Sequence, residues 1–144
     1  MKKKFTKHIF LNHLMKRGGK NTSEKLFIKA SKMLQKNVRS KKFEDIIKVS
    51  LINSSPHVFL KKLKRRKKTS IEVPFLLNNR IKISYGIKFI LRECSLRRDS
   101  YSTSKKIFLE FLDSSNSKGS CAKVTNELYK KSFVNKKFSS YRWF

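Results

Sequence analysis

The middle of the chain reads Lys61-Lys62-Leu63-Lys64-Arg65-Arg66-Lys67-Lys68, and seven of these eight residues are cationic. Apolar residues that favour β-strands lie on both sides of this run: Val58, Phe59 and Leu60 before it, and Ile71, Val73 and Phe75 after it. A charged run between two strand-forming segments predicts a β-hairpin over about residues 58–76, with a basic tip. The alternative interpretation is a solvated loop or a basic run of the nuclear-localisation kind.

The two predicted strands differ in regularity. In the second, Ile71, Val73 and Phe75 alternate with other residues, and Pro74 marks an edge strand because proline cannot donate a ladder hydrogen bond. In the first, Leu63 falls on the opposite parity from its apolar neighbours Val58 and Leu60. This break in alternation predicts a bulge.

Three helices are predicted before the hairpin. The first covers about residues 7–17 and ends at Gly18-Gly19. The second begins at Asn21, with Asn21 as N-cap and Glu24 in the capping-box position. The third begins near Ser40 and has two acidic residues, Glu44 and Asp45, in its first turn, where the helix dipole favours negative charge.

Three more helices follow the hairpin. Asn78-Asn79 precedes the fourth, whose predicted inner stripe is Ile83, Ile87, Ile90, Leu91 and Cys94. A Ser/Thr cluster at 102–104 begins the fifth, and the sixth covers about residues 120–134, followed by a tail over about 135–144. The fold predicted is mainly α: one domain over residues 1–144, with six helices and a protruding basic hairpin between the third and the fourth.

The charge of the chain points to a polyanionic partner. Lys and Arg number 37 against 9 Asp and Glu, which gives a formal net charge of +28. Such self-repulsion destabilises a free compact chain, so a counter-charged partner is expected to complete folding. Phosphate polymers are favoured because cations docked on phosphates release condensed counterions. A membrane surface is the competing partner, although no run of 18 apolar residues exists to span a bilayer.

The side chains offer no pattern typical of catalysis. The acidic residues are expected in caps, helix starts and surface ion pairs, and no serine lies in a Gly-x-Ser-x-Gly elbow. His8, His13 and His57 are expected to be surface or phosphate-facing residues. Cys94 and Cys121 stand alone and are expected to be buried or half-buried reduced thiols. No enzyme activity, cofactor or metal site is predicted.

The candidate nucleic-acid contacts are cations at the start of the chain, after the first helix, in the hairpin and along the fourth helix. This predicted set is Lys2, Lys3, Lys4, Lys7, Lys16, Arg17, Lys20, Lys61, Lys62, Lys64, Arg65, Arg66, Lys67, Lys68, Arg80, Arg92, Arg97 and Arg98. In the tail, the cation Arg142 lies between Tyr141 and Trp143, whose rings offer planes for unstacked bases. DNA packaging and binding to a membrane surface remain alternatives to RNA binding.

Three segments of the chain resemble a known family. They are the opening Phe10-Leu11-Asn12-His13-Leu14-Met15-Lys16-Arg17-Gly18-Gly19-Lys20 with Glu24, the segment Leu109-Glu110-Phe111-Leu112-Asp113 running to Gly119, and the closing Phe138-Ser139-Ser140-Tyr141-Arg142-Trp143. Together with the Val73-Pro74 step, they are similar to the bacterial and organellar form of the seventh protein of the small ribosomal subunit.

This resemblance implies a non-enzymatic protein with six helices and a protruding hairpin. It implies binding to the 3′ major (head) domain of small-subunit rRNA by the cations named above, beside neighbouring head proteins. The hairpin tip, with Lys67 and Lys68, and the tail residues Tyr141, Arg142 and Trp143 would lie near exit-site tRNA and mRNA.

The compartment is expected to be mitochondrial. Trp143-Phe144 and Arg97-Arg98-Asp99-Ser100-Tyr101 resemble plant-type mitochondrial members of that family. The first residues have neither the apolar core of a secretory signal nor the amphipathic pattern of a transit peptide. An organelle-encoded protein of the mitochondrial ribosome is therefore expected, with plastid or bacterial cytoplasm as alternatives.

Overall fold

The computed structural model describes residues 3–38, 42–64, 70–98 and 100–141, with side chains from residue 7 onward. In these ranges there are six α-helices and a two-stranded antiparallel hairpin between the third and the fourth, which confirms the predicted mainly α fold. The elements are α1 (Lys3–Leu14), α2 (Lys20–Asn37), α3 (Phe43–Ser54), β1 (Val58–Lys64), β2 (Ser70–Leu76), α4 (Asn79–Leu96), α5 (Thr103–Ser115), α6 (Ser120–Val134) and a 3₁₀ turn (Lys136–Phe138). Within the described residues, no helix has both the length and the apolar character needed to cross a membrane.

Helix α5 lies at the centre of the core, because it contacts α2, α3, α4 and α6. Its residues Ile107, Phe108 and Phe111 are buried, as the sequence predicts. The Phe111 ring lies 5.4 Å from that of Phe10, which lies 5.2 Å from that of Phe27. These three rings join α1, α2 and α5, since aromatic pairs at such distances contribute beyond the area that they bury.

The first two helices begin and end at different residues from those predicted. Helix α1 starts at Lys3 and ends at Leu14, so it lies closer to the N-terminus than the predicted 7–17. Helix α2 starts at Lys20 with Gly19 in the cap position and no side-chain cap, so the capping box at Asn21 and Glu24 is wrong. Gly18 adopts φ +75°, a conformation that glycine reaches without strain, and α2 starts two residues later.

The later helices agree more closely with the sequence. Glu44 and Asp45 lie in the first turn of α3, as predicted. The inner face of α4 buries Ile87, Ile90 and Cys94, with Ile83 and Leu91 packed partly against the core. Asn78 does precede α4, but its side chain makes no capping hydrogen bond. Gly86 brings α4 close to the end of α3, where an added Cβ would lie 2.6 Å from Ser55 Oγ.

The hairpin has a continuous register, so the predicted bulge is wrong. Residues pair one to one from Val58 opposite Leu76 to Lys64 opposite Ser70. The strands carry apolar side chains on both faces because the hairpin root is packed on more than one side. Helix α6 contacts β1, the 3₁₀ turn contacts β2, and Phe59 packs on Tyr85 of α4. Alternation is not a guide to register in a strand with two apolar faces.

Candidate nucleic-acid interface

One row of side chains runs along α4 beside the end of α1. Arg80, Ser84, Lys88 and Arg92 follow one another at four-residue spacing, which places them along one side of a helix. Ser84 Oγ lies 2.7 Å from His13 Nε2 of α1, so this row faces the C-terminal end of that helix. Burial, and then the charge of Lys88, lowers the pKa of His13. His13 is thus a partly buried contact between helices and not a surface residue, while the alternative that it faces phosphate stays a prediction.

The turn between α1 and α2 adds three exposed cations, Lys16, Arg17 and Lys20. It is held by backbone bonds from Gly19 N to Lys16 O at 3.1 Å and from Lys20 N to Gly18 O at 2.8 Å. Because His13 lies just before this turn and also contacts Ser84, the turn follows directly on the point where α1 meets the first half of α4. We call these residues the cationic surface: Lys16, Arg17, Lys20, Arg80, Lys88 and Arg92.

The residues of the cationic surface form no ion pair within the described part of the chain. All six residues are exposed, and none takes part in an ion pair among the described residues. Exposed cations without an ion-pair partner are available to bind an external anion, and salt screens that attraction.

Aromatic stacking fixes the hairpin root against the same half of α4. The Phe59 ring stacks on Tyr85 with centroids 4.3 Å apart and lies edge-on to Phe75 at 6.2 Å. Tyr85 directly follows Ser84, and Lys88 Nζ lies 5.3 Å from its ring centroid. The hairpin therefore leaves the helical core next to the cationic surface, and its strands carry further positive charge away from that point.

Removing the Tyr85 ring should loosen the hairpin without unfolding the core. Aromatic pairs contribute about 0.5–1.5 kcal/mol beyond area burial, so Tyr85→Ala should speed exchange of the β1 and β2 amides by up to about tenfold. Native-state hydrogen exchange measures this rate. Tyr101→Ala is the matched control, because Tyr101 is exposed and its ring contacts Lys105 instead. Equal hairpin exchange in the two variants would contradict anchoring by the stack.

The described hairpin cations are Lys61, Lys62 and Lys64, and all three are exposed. Lys62 lies opposite Glu72, with Nζ 3.5 Å from a carboxylate oxygen, so its charge is partly balanced within the sheet. Exposed pairs of this kind contribute little to stability, about 0–1 kcal/mol. Lys61 and Lys64 have no ion-pair partner among the described residues.

Arg97 differs from the other predicted contacts because it binds acidic side chains of its own chain. Its guanidinium donates to Glu110 Oε2 at 3.0 Å and to Asp113 Oδ2, linking the end of α4 to α5. These carboxylates raise the pKa of Arg97 against the opposing effect of burial. Its neighbour Arg98 is exposed. The structure therefore gives Arg97 an internal role, while Arg98 stays with the predicted contacts.

Glu110 is the residue that sequence reasoning placed wrongly. Its side chain is only 1 % exposed, so it is neither a cap nor part of a surface ion pair. Cys121 Sγ donates to its Oε1 at 3.2 Å, and burial, followed by the Glu110 charge, raises the pKa of Cys94 and Cys121 to about 12. The sequence feature that could have predicted its burial is its position between Ile107 and Phe111 on the apolar face of α5. Both cysteines are buried and free, as predicted.

Of the remaining predicted contact residues, some lie within the described ranges and others lie outside them. Lys7 is exposed on α1, Lys3 and Lys4 lie in the first turn of that helix, and Tyr141 is exposed after the 3₁₀ turn. Outside the described residues lie Lys2, Arg65, Arg66, Lys67, Lys68, Arg142 and Trp143. In the described ranges, no three His, Cys, Asp or Glu side chains come together as a metal site.

Comparison with known proteins assigns the chain to the ribosomal proteins, and more narrowly to proteins of the small subunit. Residues 2–136 match the model of the family described as ribosomal protein S7p/S5e, and the chain belongs to this family. The family is structural and non-enzymatic. The match ends before the closing motif at 138–143 that the resemblance also used.

Curated relatives agree with this family. The chain is 28 % identical over 134 residues to the small ribosomal subunit protein uS7 of Nitratiruptor sp., covering 93 % of this chain and 85 % of the relative. The uS7 protein of Bdellovibrio bacteriovorus is also 28 % identical, with 93 % and 84 % covered. That of Xylella fastidiosa is 28 % identical over 135 residues, with the same coverage. These relatives are bacterial.

Proposed function

We propose that this small-subunit ribosomal protein binds the 3′ major (head) domain of small-subunit rRNA and supports assembly of the head. The observation that carries the proposal is the juxtaposition at α4, where His13–Ser84 and Phe59–Tyr85 bring the cationic surface and the hairpin root together. Family membership makes rRNA the polyanion expected there. Folded RNA is recognised mostly through its backbone and shape, which suits a surface of cations without a base-reading pattern.

The roles of the cations follow from their positions. The cationic surface, Arg98, Lys7 and the N-terminal Lys2, Lys3 and Lys4 neutralise phosphates of the helical RNA against which the core docks. Strand β1 carries Lys61, Lys62 and Lys64 away from the core into RNA, and Arg65, Arg66, Lys67 and Lys68, which follow in the sequence, are assigned the same role. Arginine at 65 and 66 suits bidentate phosphate contact. Arg97 acts indirectly, because it holds the end of α4 against α5 and does not itself contact RNA.

The hairpin tip and the tail are assigned to positions near tRNA and mRNA in the subunit. Lys67 and Lys68 at the tip, with Tyr141, Arg142 and Trp143 in the tail, lie near exit-site tRNA and the path of mRNA, beside neighbouring head proteins. We place this ribosome in mitochondria because of the resemblance of residues 97–101 and 143–144 to plant-type mitochondrial members. Co-sedimentation with mitochondrial small subunits, rather than with plastid or bacterial ones, tests that compartment.

The hairpin charges provide the direct test of rRNA binding. Lys61→Glu combined with Lys64→Glu should weaken binding to a head-domain rRNA fragment by more than about tenfold, since two phosphate contacts become repulsions. Filter binding measures the affinity, and sedimentation measures incorporation into small subunits. Circular dichroism should show an unchanged helical core, because both lysines are exposed.

The matched control is Lys118→Glu combined with Lys123→Glu. These lysines are also exposed but lie at the junction of α5 and α6, outside the predicted set, and they change the net charge by the same amount. Equal losses in both double variants would show that only net charge matters and would contradict the proposal. Stronger competition by duplex DNA than by the rRNA fragment would favour DNA packaging instead.

A further inference from the structure

Helix α2 carries four lysines that the predicted set of contacts does not include. They follow one another at four-, three- and four-residue spacing, which places them within about 60° of arc on one side of the helix. All four are exposed, and the first and last are separated by about 16 Å along the helix axis. We call these residues the α2 stripe: Lys25, Lys29, Lys32 and Lys36.

The α2 stripe lies on the side of the helix opposite its packed face. Helix α2 packs against α1, α3 and α5, and its buried residues are Ser23, Phe27, Ala30 and Leu34. At about 100° per residue, the middle of this buried row and the middle of the stripe are nearly half a turn apart. The stripe therefore faces outward over its whole length.

The lysines of the α2 stripe form no ion pair with any residue that the structure describes. The acidic residue of α2, Glu24, lies about 100° around the helix from Lys25. Like charges three and four positions apart destabilise a helix, so the stripe weakens α2 in the free protein. A row of negative charge bound along the stripe would remove this repulsion.

We propose that the α2 stripe is a second RNA-binding surface, which docks along the phosphate backbone of an rRNA segment. Its length fits a polymer of anions better than a single small anion, because each docked lysine releases counterions condensed on that polymer. A membrane surface fits less well. An amphipathic helix binds a membrane through its apolar face, and in α2 that face is buried in the core. The inference rests on the proposed function, since it takes rRNA as the ligand.

Lys29→Gln combined with Lys32→Gln removes the two central charges of the stripe. Glutamine and lysine have similar helix propensity, so α2 should stay folded, and circular dichroism checks this. Filter binding to the head-domain rRNA fragment should show an affinity lower by at least about tenfold at about 50 mM salt, because two contacts that release counterions are lost. The slope of the binding constant against salt concentration, on logarithmic axes, should become shallower by about two.

The matched control is Lys118→Gln combined with Lys123→Gln. It removes the same charge from exposed positions outside the α2 stripe and the cationic surface, and should leave affinity and slope nearly unchanged. Hydroxyl-radical footprinting of the bound fragment then locates the RNA. The stripe variant should lose protection at one RNA segment, and Lys61→Glu combined with Lys64→Glu at another, because the stripe and the hairpin are separate elements.

Four results would overturn the proposal. Equal losses of affinity in the stripe variant and its control would show an effect of net charge alone, and loss of protection at the same RNA segment as in the hairpin variant would exclude a second surface. Full RNA affinity with poor incorporation into small subunits would assign the stripe to an acidic protein neighbour, and full affinity with normal incorporation would leave it in solvent. Loss of affinity in the hairpin variant alone contradicts this inference and leaves the proposed function standing, whereas loss in neither variant contradicts both.

Discussion

Affinity for head-domain rRNA should fall by a factor of about 10³–10⁵ between about 50 and about 200 mM salt, as expected when about 6–10 phosphates are neutralised. The cationic surface provides six exposed cations that lack ion-pair partners in the described residues, and Lys61 and Lys64 extend the charge along the hairpin. Each docked cation releases condensed counterions, and added salt reduces the entropy gained from that release. A logarithmic plot of binding constant against salt concentration measures the effect.

The slope of that plot can be assigned to particular side chains. Arg80→Ala, Lys88→Ala and Arg92→Ala should each make it shallower by about one, because each removes one phosphate contact. Lys118→Ala, outside the predicted set, should leave the slope unchanged and is the control. A nearly flat salt dependence of the unmodified protein would show that phosphates are not what it binds.

The second large effect is on stability and comes from Arg97. Arg97→Ala should lower the free energy of unfolding by about 3–5 kcal/mol, because Glu110 would remain buried as an unpaired charge. The Glu110 side chain is 1 % exposed and that of Arg97 is 23 % exposed, so the ion pair lies mostly out of solvent in the intact protein. Urea unfolding followed by circular dichroism is the measurement, since guanidinium would also screen the net charge.

Two controls separate this ion pair from general charge effects. Arg98→Ala removes the same charge from the next, exposed position and should change stability by less than about 0.5 kcal/mol. Arg97→Met combined with Glu110→Leu should recover most of the loss, since an apolar pair of similar size removes the unpaired charge. If Arg97→Ala were as stable as Arg98→Ala, the buried contact would not be holding α4 on α5.

The local patterns of the sequence predict much of the fold. Helical apolar spacing locates α3 to α6, and the strand-forming segments around the basic run locate the hairpin. The hairpin register could not be predicted from alternation, because Phe59 packs on α4 while α6 and the 3₁₀ turn pack on the strands. The start of α2 was missed because the Gly18-Gly19 turn, and not the Asn21 side chain, determines it.

The candidate interface was predictable as a list of cations but not as a surface. Its parts are brought together by tertiary contacts that local sequence patterns do not show. The His13–Ser84 contact joins residues 71 positions apart and places the end of α1 beside α4. The internal role of Arg97 also depends on tertiary structure, since in the sequence Arg97 and Arg98 are both simply cations at the end of a predicted helix. Glu110 did carry a sequence signal, as an acidic residue on the apolar face of α5.

The buried contact between Cys121 and Glu110 has a practical consequence for following the opening of the fold. Burial and the Glu110 charge raise the pKa of both thiols to about 12, so the reactive thiolate is scarce at neutral pH. Because both thiols are buried, alkylating reagents reach them only when the helices that carry them, α4 for Cys94 and α6 for Cys121, move away from the core. The rate of modification at Cys94 and Cys121 then measures how often the core opens, without an introduced probe.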